Sequence, residues 1–280
     1  MKVIDAHHHF WQPARGDYGW MPVDDAVLSR CYAPKDLAAA LTSTGVSATV
    51  LVQAAQTVEE TEYLLGIADA TDHVAAVVGW INFEDRSQLT TLQRLAAHPK
   101  FVGVRPMIQN LPDDDWMLRD EVQWAYQALI DLDLTFDCLG FPRHLKNFHT
   151  LLTRYPEMRS VIDHSMKPQI RTHSDSNFKF WADGISALAA DTVCCCKLSG
   201  LVTEGDDDWS YQMLKPYTDH VITAFSAQRV MWGSDWPVVR LRCEYEDWFA
   251  LAQRLTGNLP ETDRESIFAG TADNFYRCLA

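Results

Sequence analysis

Short runs rich in β-branched residues alternate with longer amphipathic stretches along the whole chain, the pattern of a parallel α/β protein. The predicted strands are Val3–Phe10, Ala48–Gln53, Val74–Ile81, Phe101–Ile108, Thr135–Leu139, Ser160–His164, Val193–Ser199 and Val230–Asp235, eight in all. Between them, apolar residues recur at helical spacing over Trp116–Asp133, Pro142–Tyr155, Asn177–Ala190, Tyr211–Ala227 and Glu244–Thr256. A helix over Pro34–Thr44 begins with proline and stops at Gly45, and Thr57-Val58-Glu59-Glu60 resembles a capping box. Glu261–Leu279 reads as a closing helix. With no repeat, low-complexity tract or linker, residues 1–280 are predicted to form a single domain. Eight strand–helix units predict an α/β fold, a (β/α)8 TIM barrel, whose site would lie at the C-terminal ends of the strands.

Reactive side chains fall at those ends. His7 and His9 share one face of the first strand, about 6–7 Å apart along it, while His8 points the other way. Two imidazoles so placed can grip one metal ion; the alternative is a histidine cluster that bonds only locally. Asp235 closes the last strand, next to the first once a barrel closes, or else it caps a helix. A carboxylate there can take a proton from a histidine- or metal-bound water and return it to a leaving group. His164 stands where an apolar strand runs out, and Lys167 follows in the loop. On spacing alone the candidate metal ligands are His7 and His9; a lone histidine such as His164 is more often structural, and gains weight here from the groups at the other strand ends.

Arg105 and Lys197 each lie inside an apolar strand, where a charge must be paired or face a polar cavity. They are expected to polarise a carbonyl or anchor substrate, with Asp235 and His164 beside them, or to form buried ion pairs with Asp5 or Asp235. Asp5 shares the face of His7 and His9 but lies deeper, as an acid behind them or a partner for Lys197. Gln53, at the end of the second strand, is a candidate substrate contact, as is Lys167. Among the tryptophans that could wall a sugar ring (Trp11, Trp20, Trp80, Trp181, Trp236), Trp11 and Trp236 adjoin the motifs and are the ones chosen.

Composition narrows the partners. A formal charge of −14 argues against nucleic acid or an anionic membrane surface, both of which need basic patches. The opening is too short and polar for a signal core, and no apolar run is long enough to span a bilayer. Seven cysteines are an odd number, and Cys194-Cys195-Cys196 cannot form a disulfide framework between alternating faces. A cytoplasmic protein with reduced thiols and a small-molecule substrate is expected; its oligomeric state leaves no mark in the sequence.

The motifs, taken in order, resemble the sugar-lactonase branch of the amidohydrolase superfamily, the group of the L-fuconolactonases and L-rhamnonolactonases. They are Ile4-Asp5-Ala6-His7-His8-His9-Phe10-Trp11, Gly103-Val104-Arg105, Asp163-His164-Ser165-Met166-Lys167-Pro168, Lys197-Leu198-Ser199-Gly200-Leu201 and Trp232-Gly233-Ser234-Asp235-Trp236-Pro237. The resemblance implies a distorted amidohydrolase-type barrel that hydrolyses lactones, with Asp235 as general base and His7, His9 and His164 as its histidines. It implies at most one divalent metal ion, zinc first, with His7, His9, His164 and Asp235 as its candidate ligands, and some lactonases of the group work without one. Arg105 stands in place of a lysine or glutamate that could bridge two metals, and Leu139-Gly140 brings no histidine, so a binuclear site is not expected. Pro106 replaces a histidine frequent in relatives, a change that bears on substrate choice. The rival readings are a metal-dependent decarboxylase of the same superfamily and a non-catalytic sugar-binding barrel.

Overall fold

The computed structural model describes residues 2–279. Eight parallel strands pair strictly in chain order: β1 (Val3–His8), β2 (Val46–Val52), β3 (Val74–Gly79), β4 (Phe101–Val104), β5 (Thr135–Cys138), β6 (Ser160–Ile162), β7 (Cys195–Leu198) and β8 (Val230–Trp232). All eight stop one to four residues short of the predicted ends, and among the residues that leave the ladder there are His9, Arg105, His164 and Asp235, which turn into the site. The barrel closes through the same residues: the Asp235 N–H donates to the His7 carbonyl and the His9 N–H to the Trp236 carbonyl, both at 2.7 Å. This nearly closed (β/α)8 barrel is the fold expected.

The helices are α1 (Pro34–Thr44), α2 (Val58–Asp69), α3 (Leu89–Ala96), α4 (Gln123–Asp131), α5 (Leu145–Arg154), α6 (Asp175–Asp191), α7 (Tyr211–Phe225), α8 (Tyr245–Leu255), α9 (Glu261–Glu265) and α10 (Thr271–Tyr276). α1 has the predicted bounds, and Gly45 ends it with φ 72°, a left-handed conformation that glycine takes without strain. The stretch predicted as one helix from Trp116 instead starts as two short 3-10 turns before α4. The closing segment is likewise interrupted, by a π turn over Ser266–Gly270. Thr57 caps α2 by accepting from the Glu60 N–H. Glu60 does not complete the box, because its carboxylate turns away to the Ala54 and Ala55 N–H groups.

A large apolar layer lies between sheet and helices. A smaller cluster (Ile4, Ala48, Val50, Val78, Val161 and Met231 among others) fills the barrel beneath the site, and Phe275 and Tyr276 of α10 close it. The β1–β2 register slips between Asp5 and His8. This irregularity corrects the expected shared face: the Asp5 carboxylate reaches not Lys197 but the Ser234 N–H at 2.8 Å and the Tyr245 hydroxyl of α8 at 3.1 Å. Among the described residues no helix is long and apolar enough to cross a membrane.

Gly103 sets the spacing of β4 and β5, since a Cβ there would overlap the Thr135 side chain and lie 2.6 Å from its carbonyl oxygen. Backbone cannot move aside as a flexible side chain can. Gly103→Ala is therefore expected to destabilise the fold by about 1–3 kcal/mol, the usual cost of overpacking. The check is the urea midpoint at unchanged slope; an unshifted midpoint would show that this pair of strands yields.

Candidate active site

The seam between β1 and the segment after β8 brings His7, His9 and Asp235 together. The Nε2 atoms of His7 and His9 are 3.2 Å apart, and Asp235 Oδ1 lies 3.4 Å from His9 Nε2 and 3.8 Å from His7 Nε2. His9 Nδ1 faces the Val52 carbonyl at 2.8 Å. A carbonyl can only accept, so Nδ1 carries the proton and a neutral His9 presents the lone pair of Nε2. His8 points away, to Thr49 Oγ1 at 2.9 Å.

His164 comes from the turn after β6, with Nε2 3.8 Å from Asp235 Oδ1 and Nδ1 2.9 Å from Ser199 Oγ. Burial pulls its pKa down to about 4, outweighing the nearby Asp235 and Asp163, so the ring is neutral at pH 7. Burial alone would raise the Asp235 pKa, but His164, His9 and the Lys167 charge together hold it below the usual range. Asp235 is accordingly an ionised carboxylate among neutral imidazoles.

Beneath His7 lies a fully buried ionic cluster. Lys197 Nζ hydrogen-bonds Asp137 Oδ2 at 2.6 Å and lies 2.9 Å from Asp163 Oδ1 and 3.1 Å from His7 Nδ1. The Tyr276 hydroxyl donates to the same Asp137 oxygen at 2.7 Å. Burial raises the Asp137 pKa even beside Lys197. It would raise Asp163 too, but Lys197, His7 and Arg105 hold that carboxyl well below its ordinary value. His7 is kept neutral by burial, reinforced by the Lys197 charge.

This geometry corrects three expectations. Lys197 does not face the cavity mouth: it lies mid-strand, a level below His7, and its charge is met by Asp137 and Asp163 rather than by Asp5 or Asp235. Gln53 is wholly buried and does not line the cavity; it donates to the Arg105 carbonyl at 2.7 Å and accepts from the Arg105 guanidinium, so it holds Arg105. The Trp236 ring is buried edge-on against Tyr32 and Phe10, with centroids 4.9 and 5.9 Å away, which keeps it from any ligand. Arg105 does reach the cavity, with Nη1 3.3 Å from both His7 Nε2 and Asp163 Oδ2.

A cavity of about 300 Å³ opens above these groups, lined by His9, Arg105, His164, Lys167 and Asp235, with Trp11 and Trp20 on one wall. Met107, Gln109 and Asn110, from the loop after β4, and Leu139, after β5, also line it, with Ala54 and Val238. They escaped the sequence reading, since nothing in their pattern marks a loop as a wall. Asp137 escaped it too, though a carboxylate inside an apolar strand is the same signal that flagged Arg105 and Lys197.

His164 and Lys167 share a further oddity. His164, Ser165, Met166 and Lys167 have φ values of 52°, 50°, 60° and 48°, a turn of left-handed helix without glycine. Each such residue costs roughly 1–2 kcal/mol. The turn is buried, the Ser165 hydroxyl donating to the Lys197 carbonyl at 3.2 Å and Trp181 Nε1 to the Ser165 carbonyl at 2.7 Å. Gly200 makes room for it, since a Cβ there would come 2.7 Å from His164 Nδ1.

The chain carries the sequence pattern of the amidohydrolase family model over residues 4–278. It is 41% identical over 278 residues to an L-fucono-1,5-lactonase of Burkholderia ambifaria, covering 98% of this chain and 95% of that one. It is 32% identical over 290 residues to an L-fucono-1,5-lactonase of Burkholderia multivorans, at 98% and 95% coverage. A crystal structure of an amidohydrolase from Burkholderia multivorans with bound zinc superposes with a TM-score of 0.92 at 31% identity, covering 99% of this chain and 100% of that one. This chain belongs to the amidohydrolase family.

Glu60 supports the cavity from behind, fixing Ala54, one of its wall residues, through the backbone. Burial pushes its carboxyl up to about 7 despite the two N–H donors. The folded protein therefore holds this proton more tightly than the unfolded chain does. The resulting stability is fully present below the unfolded pKa of 4.5 and is lost as pH rises through about 7. Between pH 5 and 8 the stability of Glu60→Gln relative to wild type should thus rise, by about 3 kcal/mol at most. Urea titrations at both pH values test this; a pH-independent difference would mean that Glu60 titrates as a solvated carboxyl.

Proposed function

We propose that this protein hydrolyses a neutral sugar 1,5-lactone to the open-chain acid, with L-fucono-1,5-lactone the first candidate because two relatives bear that name. The observation that carries the reading is Asp235: a buried carboxylate kept ionised, within 4 Å of His7, His9 and His164 at the floor of a cavity. The neutral imidazoles orient a water molecule against Asp235, which takes its proton as the water oxygen attacks the lactone carbonyl. Asp235 then returns that proton to the ring oxygen as the acyl–oxygen bond breaks. Arg105, held by Gln53 and Asp163, keeps His7 and the cavity floor in place. Trp11 and Trp20 offer an apolar wall to a sugar ring.

The donor atoms also suit one zinc ion. Ligands at about 2.0–2.1 Å around a tetrahedral zinc stand about 3.3 Å apart, close to the 3.2, 3.4 and 3.8 Å separating the His7, His9 and Asp235 atoms. Zinc held by these three would lower the pKa of a bound water and polarise the carbonyl. His164, with Nε2 3.8 Å from Asp235 Oδ1 and grouped with His7 and Asp163 as a second donor set, would join the ligands as the fourth or orient substrate or water beside them. The cytoplasm is the compartment we assign, a choice supported by seven unpaired cysteines.

Proton release on a panel of sugar 1,5-lactones, run beside a CO2-release assay on unsaturated and aromatic acids, tests the activity. CO2 release without lactone opening would replace this reading with the decarboxylase one. Asp235→Asn is expected to keep the wild-type denaturation midpoint and to lose at least about a hundredfold in kcat, the low end for a positioned acid–base group. Elemental analysis of the freshly purified protein should find up to one zinc per chain, lost in the His7→Ala/His9→Ala double variant. A fully active protein free of metal would leave these histidines as water-orienting groups only.

A further inference from the structure

Three cations stand at or near the site, and two are already committed. Lys197 is paired with Asp137 and Asp163. Arg105 gives Nη1 to Asp163 and His7 and Nη2 to Gln53, and its Nε is shut off from solvent. The third, Lys167, lines the cavity with His164 and Asp235, and its ammonium has no hydrogen bond or ion pair to the protein among the described residues. Its charge acts on Asp235 and on the largely buried Glu204, and it makes a cation–π contact, Nζ 5.7 Å from the Phe141 ring centre.

Hydrolysis of a neutral lactone creates a charge the substrate lacks. Water oxygen bonds to the acyl carbon, the acyl–ring-oxygen bond breaks, and the ring oxygen takes a proton. The resulting acid then ionises, releasing one proton to solvent. Negative charge grows on the former carbonyl oxygen during attack and remains on the carboxylate. An uncommitted ammonium at that oxygen gains little from the neutral lactone and much from the transition state and the product anion.

The turn that carries Lys167 is built for this placement. Left-handed helical geometry puts residues three apart on one face, so His164 and Lys167 both face the cavity while Ser165 and Met166 are buried beneath. Four non-glycine residues would not hold that conformation unaided. The anchors are the Ser165 hydroxyl on the Lys197 carbonyl and the Trp181 indole on the Ser165 carbonyl. Through the first of these the turn is tied to β7, at the residue that carries the buried ion cluster.

We propose that Lys167 recognises the carboxylate formed as the ester opens, and that Ser165 and Trp181 are positioning residues for the left-handed turn that presents it. The inference rests on the lactone-hydrolysis reading of the same cavity. The experiment measures kcat and KM on the best neutral lactone, and the inhibition constant of the corresponding sugar acid. Wild type is compared with Lys167→Met, Lys167→Arg, Ser165→Ala and Trp181→Phe. Lys167→Met should lower kcat at least tenfold and weaken acid binding at least tenfold, with KM for the lactone within about twofold. Lys167→Arg should recover part of both losses.

Ser165→Ala and Trp181→Phe should show the same pattern to a lesser degree. Unchanged kcat and acid affinity in Lys167→Met would overturn the role, as would an equal rise in KM and inhibition constant, which marks a mere hydroxyl anchor. If both anchor variants lower only the melting temperature, the positioning half of the proposal fails. If wild type opens no sugar lactone, the underlying reading has failed. Calorimetry with sugar acids still decides the inference in that case: binding by wild type that is lost in Lys167→Met sustains carboxylate recognition, and no binding overturns it.

Discussion

The site exists because the barrel is closed by its own reactive residues. Two backbone hydrogen bonds, Asp235 to the His7 carbonyl and Trp236 back from His9, join the end of β1 to the chain leaving β8. Each contributes only about 1 kcal/mol net, yet leaving either partner buried and unpaired would cost more. The buried Asp5 carboxylate fastens the same seam by accepting from the His7 and Ser234 N–H groups and the Tyr245 hydroxyl. Burial pushes that carboxyl up to about 6 even with these donors, so the seam is held by an acid tuned against its own desolvation. With the backbones so joined, His7, His9 and Asp235 meet within 4 Å on short side chains.

Charge is sorted by depth. The lowest level holds Lys197 between two carboxylates, where burial makes pairing compulsory. Above it Arg105 spans from Asp163 to Gln53 and leaves His7 neutral between two cations. At the cavity itself the ionised Asp235 is set against an uncommitted Lys167. Of 24 Lys and Arg residues in a chain of formal charge −14, these three are placed at or beneath the cavity, where the proposed lactone hydrolysis would develop negative charge.

Among the described residues, positive φ at a non-glycine residue occurs singly at Asp133, Ser226 and Arg277, near helix ends, and at two places in the site. Asp235 has φ 57°, and the four residues from His164 to Lys167 are left-handed as well. Several helix ends follow local rules: Pro34 opens α1, Gly45 stops it, and Ser174 and Ser210 cap the starts of α6 and α7. Strain at the cavity rim fits a fold in which regular elements hold irregular turns in one functional geometry.

The alternation of strands and helices, the eight strands and the convergence of His7, His9, His164 and Asp235 were all legible in the sequence. Each follows from local periodicity and from the rule that parallel barrels put their strand ends at one mouth. The depth of a side chain was not legible. A charged residue in an apolar strand reads the same whether it faces a substrate or a buried counter-charge, so Lys197 and Arg105 looked alike. Their neighbours on adjacent strands separate them: Asp137 on β5 and Asp163 after β6 claim Lys197, while Arg105 follows β4 and reaches the cavity. Gln53 turned back to Arg105, Trp236 was buried by Tyr32, and a slip in the β1–β2 register sent Asp5 to α8, all through contacts between residues far apart in the chain. Sequence periodicity determined which residues gather at the mouth of the barrel. Only the packing of strand against strand decided which charges remain free to meet a ligand, because pairing inside a low-dielectric barrel depends on partners that no local pattern encodes.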